Sequence, residues 1–224
     1  MSEIAEKILK VKAELPQGVT LVAVSKYHPN EDIMDAYNAG QRIFGENIVQ
    51  ELREKQQTLP SDIEWHYLGH LQTNKIKYIA PFISLIHAVD SLKLLTEINK
   101  QAEKNDRTID CLLQIHIAQE ETKFGFSKDE IKEFLSKELW SELNNVRICG
   151  LMCMASNTDN VEQVKLEFKQ VKLLFDEFKQ SYFRDKDYFH ILSMGMSHDY
   201  PLAIQEGSTM VRVGTKIFGE RVYN

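Results

Sequence analysis

The chain of 224 residues is 43% hydrophobic and 27% charged, and its formal net charge is −6. This negative charge argues against a broad surface for nucleic acid or an anionic membrane, although a local basic pocket for one phosphate group is compatible with it. With only ten glycines and five prolines, the composition gives no sign of a disordered tail or a flexible linker. We therefore expect one α/β domain over residues 1–224.

The sequence has no visible signal for export or membrane insertion. Charged residues such as Glu3 and Lys7 stand where a signal peptide would have its apolar core, and no apolar run approaches the roughly 18 residues of a membrane span. Cys111, Cys149 and Cys153 lie in apolar stretches without the spacing of metal ligands. We expect a cytoplasmic protein with buried free thiols.

Helical and extended patterns alternate along the chain. Ile4, Ile8, Val11 and Leu15 share one helical face and predict a helix before the first strand. Further helices are predicted between the strands, the clearest from Val161 to Phe178, where apolar residues recur at steps of three and four. The predicted strands occupy residues 21–26, 42–45, 63–68, 84–89, 109–117, 146–154, 188–194 and 210–213.

Alternation of strands with helices indicates a parallel sheet. Eight such units in a chain of this length favour a closed (β/α)8 TIM barrel, here with one extra N-terminal helix, over an open doubly wound sheet. In such a barrel, the residues that follow the strands share one mouth, so we expect the functional residues to lie there.

The first predicted strand ends at a lysine. Residues 21–24 are apolar without alternation, which is typical of a strand buried on both faces of a parallel sheet. Lys26 then lies at the carboxyl end, where partial desolvation lowers the pKa of an amine, and a neutral amine can form a Schiff base with an aldehyde or ketone. On this stretch alone, a lysine that extends from the strand end into water is the competing interpretation.

The loops after the last two strands have the composition of a phosphate site. They contain Ser193, Gly195 and Ser197, then Gly214 and Thr215. Small residues let the backbone approach a phosphate group, and hydroxyl and amide groups donate hydrogen bonds to it. Ser197 has a second interpretation as the N-cap of the next helix, and both glycines have one as ordinary turn residues.

Arg212 lies on the same face of the last predicted strand as Met210 and Gly214, because side chains alternate along a strand. A guanidinium inside or just above a barrel needs an acceptor. Two interpretations are open from the residues alone, a structural salt bridge or recognition of a heteroaromatic ring nitrogen or an acidic ligand group.

Two further positions have competing interpretations. His66 and His70 are four residues apart, but their surroundings offer no third ligand at the spacing of a zinc site, so we expect structural or ligand-lining roles and no metal. Asn47 follows the second strand and is either a residue of the mouth or the cap of the next helix.

Taken together, these motifs resemble the pyridoxal phosphate homeostasis protein family, whose members are single-domain relatives of the barrel domain of bacterial alanine racemase. The similarity runs nearly from end to end, and it departs from the family pattern at Tyr27, at His28 and in residues 118–122. The matching segments are AVSK (23–26), FGEN with VQE (44–51), WHYLGHLQTNK (65–75), HAVDS (87–91), KFGF (123–126), GLMCM (150–154), LSMGMS (192–197) and GSTMVRVGTKIFGER (207–221).

The resemblance implies a site for pyridoxal 5'-phosphate (PLP). It gives Lys26 as the Schiff-base lysine, Arg212 as the arginine that faces the pyridine nitrogen, and Asn47 as a residue near the cofactor ring. It implies no catalytic residue and no metal ligand. The phosphate-binding positions that it implies are Ser193, Ser197, Gly214 and Thr215.

The resemblance also bears on activity. An arginine keeps its proton and leaves the pyridine nitrogen unprotonated, which weakens the ring as an electron sink. Alanine racemase works with the same arginine because a tyrosine from another domain of a partner subunit supplies a second base. This chain ends at Asn224, soon after the last strand. We therefore expect a monomeric protein without that domain.

Three functions are compatible with the sequence. The first is a carrier that holds PLP as a lysine aldimine, takes part in intracellular PLP (vitamin B6) homeostasis and delivers PLP to apo-enzymes, without catalysis of its own. The second is a PLP-dependent amino-acid racemase of low activity. The third is a Schiff-base aldolase that acts on a phosphorylated sugar. We expect the first.

Overall fold

Eight parallel strands pair in their sequence order, and the last strand pairs with the first to close a barrel. The structure, a computed structural model, describes residues 2–118 and 124–220. The predicted barrel with an N-terminal helix is therefore confirmed. The strands are β1 Thr20–Val24, β2 Ile43–Glu46, β3 Glu64–Tyr67, β4 Leu85–Val89, β5 Ile109–Ile115, β6 Val146–Cys153, β7 Ile191–Ser193 and β8 Met210–Val213.

Helices surround the strands, and two of them begin at serine caps. Ser91 accepts a hydrogen bond from the Leu94 amide, and Ser127 forms a capping box with Glu130. The helices are α1 Glu3–Glu14, α2 Asn30–Asn38, α3 Val49–Thr58, α4 Leu92–Glu103, α5 Lys128–Ser136, α6 Val161–Ser181, α7 Tyr200–Gln205 and α8 Thr215–Phe218, with 3-10 turns at Thr73–Tyr78 and Leu139–Glu142.

Two apolar clusters hold the fold together. The larger lies between the strands and the helices and includes Phe168 and Phe178 of α6, which are fully buried. The smaller contains Val22, Leu112 and Met210, residues of the strand faces that point into the barrel. Arg212 follows Met210 by two residues and shares its inward face.

Several predicted boundaries are wrong. β1 ends at Val24 instead of Lys26, because the chain turns at Lys26 and Tyr27. Ser197 is not a helix cap, since α7 begins only at Tyr200 after Asp199.

The cap interpretation of Asn47 is also wrong. α3 begins at Val49, and its N-cap is Ile48, which provides no side-chain acceptor. The motif positions in residues 119–123 and 221 lie outside the described residues.

The three cysteines are buried and none of them is in a disulfide, as expected. In the described ranges no helix combines the length and the apolar composition that crossing a membrane requires.

Candidate functional site

A cavity of about 340 Å³ opens at the carboxyl ends of the strands. Six of the seven predicted site residues line it: Lys26, Asn47, Ser197, Arg212, Gly214 and Thr215. Its walls also include Met152 and Met154, so that polar groups stand at the edges of an apolar space. The seventh predicted residue, Ser193, is fully buried and is absent from the cavity wall.

A larger cleft of about 700 Å³ lies outside the barrel mouth, beside α2 and α3. Asp32, Glu51, Glu54 and Glu220 line it, together with Lys55. Its excess of carboxylates repels a phosphate group, so its size does not make it the better candidate.

Lys26 is half-buried and lies in a turn just after β1. The turn is closed by a hydrogen bond of 3.1 Å from the His28 amide to the Ser25 carbonyl. This places the lysine at the carboxyl edge of the barrel, on the wall of the same cavity as Arg212.

Arg212 is 5% exposed and is held entirely by neutral oxygen atoms. Its Nη1 donates to the Ser193 carbonyl at 2.8 Å and to the Ser193 hydroxyl at 2.6 Å, and its Nη2 donates to the Cys153 carbonyl at 2.8 Å. Burial lowers the pKa of Arg212, but a guanidinium keeps its charge in proteins. Within residues 2–118 and 124–220 no carboxylate pairs with it, so the salt-bridge interpretation is wrong there.

The guanidinium of Arg212 also has unused hydrogen-bond donors. A guanidinium carries five N–H groups, and the three bonds above use both on Nη1 and one on Nη2. Among the described residues, the Nε proton and the second Nη2 proton have no acceptor. A buried cation with unused donors on a cavity wall is suited to an acceptor supplied by a ligand.

Ser193 belongs to a hydrogen-bonded chain beneath Arg212. Its hydroxyl lies 3.1 Å from His87 Nδ1, and His87 Nε2 lies 3.1 Å from His66 Nδ1. Burial lowers the pKa of His66 to about 3 and the pKa of His87 well below its usual value, so both rings are neutral near pH 7. Because Ser193 accepts from Arg212, its own proton can go to His87 Nδ1, which puts the His87 proton on Nε2.

The two histidines once considered for a metal have separate partners. His66 bonds to His87, whereas His70 lies 3.2 Å from an Asp90 carboxylate oxygen and stacks on Phe124. The described part of the chain contains no group of three or more His, Cys, Asp or Glu side chains that could hold a metal ion.

Asn47 carries an unsatisfied acceptor. Its side-chain Oδ1 is buried and has no hydrogen-bond partner among the residues that the structure describes, while its carbonyl accepts from the Tyr67 hydroxyl at 2.9 Å. Gly69 packs so closely that a Cβ there would lie 2.5 Å from the Asn47 carbonyl oxygen. Asn47 is thus fixed in place, and a polar ligand atom can satisfy its orphaned oxygen.

The loops after β7 and β8 are joined at the cavity. The Gly214 amide donates to the Ser197 hydroxyl at 3.1 Å. Gly195 is a turn glycine with a φ of +91°, and a Cβ there would lie 2.7 Å from Tyr200 Cα, so no other residue fits without displacement. This packing brings Ser197 and Thr215 to one corner of the cavity.

Sequence reasoning missed two features near the site. The first is His198, which lines the cavity and lies 3.3 Å from an Asp199 carboxylate oxygen. The second is a cluster of Ser25, Glu46, Glu51 and Lys55 behind the Lys26 turn. The four-residue spacing from Glu51 to Lys55 was a usable signal for an ion pair, but not for its burial.

Comparisons with known proteins show the family to which the chain belongs. The family model "Alanine racemase, N-terminal domain" matches residues 1–222. A protein of Aquifex aeolicus (strain VF5) named pyridoxal phosphate homeostasis protein is 40% identical over 227 residues, which cover 100% of this chain and 97% of that protein.

Solved structures give the same result. PipY of Synechococcus elongatus PCC7942 is 38% identical, and 96% of this chain covers 100% of PipY, with a TM-score of 0.89 for the form without PLP and 0.87 for the form with PLP bound. Alanine racemase of Clostridium difficile 630 shares the fold, with a TM-score of 0.77 at 14% identity, over 99% of this chain and 58% of the racemase. This chain belongs to the pyridoxal phosphate homeostasis protein family, within the larger family of alanine racemase N-terminal domains.

Proposed function

We propose that this protein binds PLP in the cavity at the carboxyl end of the barrel and takes part in intracellular PLP homeostasis, without catalysis of its own. One observation carries the proposal: Lys26 lines the same cavity as Arg212, and no described carboxylate pairs with this buried arginine. The PLP-bound structure of PipY, a relative at 38% identity, supports it. In this proposal residues 1–224 form one PLP-binding domain that acts as a monomer in the cytoplasm.

Lys26 is the covalent anchor in this proposal. In its unprotonated form, Nζ would attack the C4' aldehyde carbon of PLP, a C=N bond would form, and the aldehyde oxygen would leave as water. The step needs no oxidant or reductant. Because it is reversible, the same lysine can hold PLP and return it to solution or to an apo-enzyme.

The remaining residues position the cofactor. An unused N–H group of Arg212 would donate to the pyridine nitrogen, and the orphaned oxygen of Asn47 would meet a polar group near the ring. Ser197, Gly214 and Thr215 surround the phosphate group at their corner of the cavity. We propose that Ser193, which lies below the wall, supports Arg212 instead of contacting the phosphate.

Arg212 also supports the absence of catalysis. A group that donates a hydrogen bond and keeps its own charge disfavours a protonated pyridine nitrogen, so the bound ring is a weak sink for the electrons of a substrate carbanion. The names of relatives as homeostasis proteins agree with this.

A low racemase activity is the second candidate, because His198 lines the cavity together with Lys26. A racemase needs bases on both faces of the substrate, and an imidazole is an effective general base. Exchange of the α-proton of L-alanine with solvent deuterium, measured in wild type and His198→Asn, separates the two functions. Fast exchange that is lost in the variant would support the racemase and contradict the carrier.

The cofactor assignment is tested by visible absorbance. We expect purified wild type, incubated with PLP, to develop a yellow band that borohydride abolishes and that Lys26→Ala does not develop. A protein that stays colourless would contradict PLP binding, and the sugar-phosphate aldolase would become the leading function.

A further inference from the structure

The turn that carries Lys26 has an uncommon backbone conformation. Ser25 and His28 close the turn, and Lys26 and Tyr27 are its two central residues. Tyr27 has a φ of +66°, in the left-handed region that glycine and asparagine favour. A bulky residue there costs free energy, so the surrounding structure must hold the turn in place.

Two side chains of α3 hold this turn from behind. The Tyr27 amide donates to Glu51 Oε1 at 2.6 Å, and Lys55 Nζ donates to the Ser25 carbonyl at 2.7 Å. These bonds reach the backbone on both sides of Lys26. Because Glu51 accepts the Tyr27 N–H, it fixes the orientation of the peptide plane that joins Lys26 to Tyr27.

The two α3 side chains are themselves fixed by a buried charge cluster. Lys55 is 5% exposed and Glu46 is fully buried. Lys55 donates its other two protons to Glu46 Oε1 at 2.8 Å and to Glu51 Oε1 at 2.6 Å, and the Ser25 hydroxyl donates to Glu46 Oε1 at 2.6 Å. All three N–H groups of the ammonium are therefore used, which leaves it one orientation.

A buried ion pair contributes little stability compared with apolar residues of the same size, and its best-attested value lies in geometric specificity. Here the cluster surrounds the backbone on either side of one residue, and that residue is Lys26. None of its members lines the cofactor cavity.

We propose that Glu51 and Lys55 are positioning residues that lock the left-handed turn at Tyr27 and so orient Lys26 toward the cofactor cavity. This inference rests on the proposed covalent role of Lys26. The cluster lies off the cavity wall, and we expect it to set the rate at which Lys26 reacts.

The test is the rate of covalent PLP attachment, measured from the visible band and from intact mass after borohydride reduction. Glu51→Ala removes the acceptor of the Tyr27 amide, and Glu51 is partly exposed, so this variant leaves no hole in the core. We expect the rate to fall roughly tenfold, since small misplacements of a reacting group have effects of this order or larger. Glu51→Gln keeps an acceptor oxygen and should react nearly as fast as wild type.

A rescue experiment separates positioning from a general loss of structure. Tyr27→Gly removes the backbone penalty, because glycine enters the left-handed region without steric cost. Glu51→Ala combined with Tyr27→Gly should therefore recover most of the rate. Glu51→Ala combined with Tyr27→Ala should stay slow, since alanine loses the ring and keeps the penalty. Glu54→Ala, an exposed position on the same helix, is the matched control and should react like wild type.

Equal rates in wild type and Glu51→Ala would overturn the inference, and so would a failure of Tyr27→Gly to rescue. A wild type that forms no adduct at all would overturn the proposed function as well. The two failures are therefore distinguishable, because the first leaves the wild-type adduct intact.

Discussion

Two buried cations near the carboxyl end of β1 have opposite surroundings. Lys55 donates to the carboxylates of Glu46 and Glu51. Arg212 donates only to neutral oxygens, those of Ser193 and Cys153. A cation that is paired with carboxylates of the protein helps to fix the protein's own geometry. A cation with only neutral acceptors can still attract a negatively charged or polar ligand. On this basis we propose a supporting role for Lys55 and a binding role for Arg212.

The supporting cation should matter most for stability. Lys55→Met leaves two carboxylates without their partner, one of them fully buried, and should lower the free energy of unfolding by roughly 3 kcal/mol. Urea unfolding at pH 7.5 measures this, with exposed Lys93→Met as the control. A loss as small as that of the control would contradict the supporting role.

The same cluster should make stability depend on pH. Burial raises the pKa of Glu46 to about 7, against the opposing charge of Lys55. Between the pKa of Glu46 in the unfolded chain and about pH 7, the folded state retains a proton that the unfolded chain has released. The free energy of unfolding therefore falls as the pH rises through this range.

Glu46→Gln cannot titrate and should lack this pH dependence. Between pH 4.5 and 7, we expect the free energy of unfolding of wild type to fall by on the order of 2 kcal/mol relative to that of the variant. Above about pH 7 the difference should change little further. Urea unfolding of both proteins across this range is the measurement. Parallel pH profiles for the two proteins would show that Glu46 has an ordinary pKa.

The binding cation should matter for the cofactor more than for the fold. Arg212→Met removes an unpaired buried charge but leaves three hydrogen-bond acceptors without their donor. We therefore expect the free energy of unfolding to change by roughly 1 kcal/mol. The dissociation constant for PLP should rise about tenfold or more, because a charge-assisted hydrogen bond is lost. Absorbance titration checks this, and unchanged binding would remove Arg212 from the site.

Ser193 should have the smallest effect. Ser193→Ala removes one of the acceptors of Arg212 and its link to His87, and should cost roughly 1 kcal/mol of stability or less. We expect PLP binding to weaken by less than in Arg212→Met. A larger loss in Ser193→Ala would indicate that its hydroxyl contacts the cofactor directly.

The sequence predicted the barrel and most of the cavity wall because both depend on local patterns. Apolar strands at regular intervals require helices between them, and the ends of parallel strands meet at one edge. Lys26 and Arg212 were therefore placed correctly on the wall, although β1 proved shorter than expected.

Other features depend on long-range packing that no local pattern records. Ser193 is the last residue of β7, and only its neighbours in the closed barrel decide that its hydroxyl meets Arg212 and His87 instead of the mouth. Likewise, a Glu and a Lys four residues apart, such as Glu51 and Lys55, commonly pair on a helix. The burial of Lys55 depends on its contact with the Ser25 carbonyl, 30 residues away in the sequence.

The most direct measurement is a peptide map of the protein after incubation with PLP and reduction with borohydride. Lys26 and Lys55 lie in different tryptic peptides, so mass spectrometry distinguishes them. We expect stoichiometric modification at Lys26, while Lys55 stays unmodified because all its protons are engaged. Modification spread over several surface lysines, with none enriched at Lys26, would contradict the assignment of this barrel as a specific PLP-binding site.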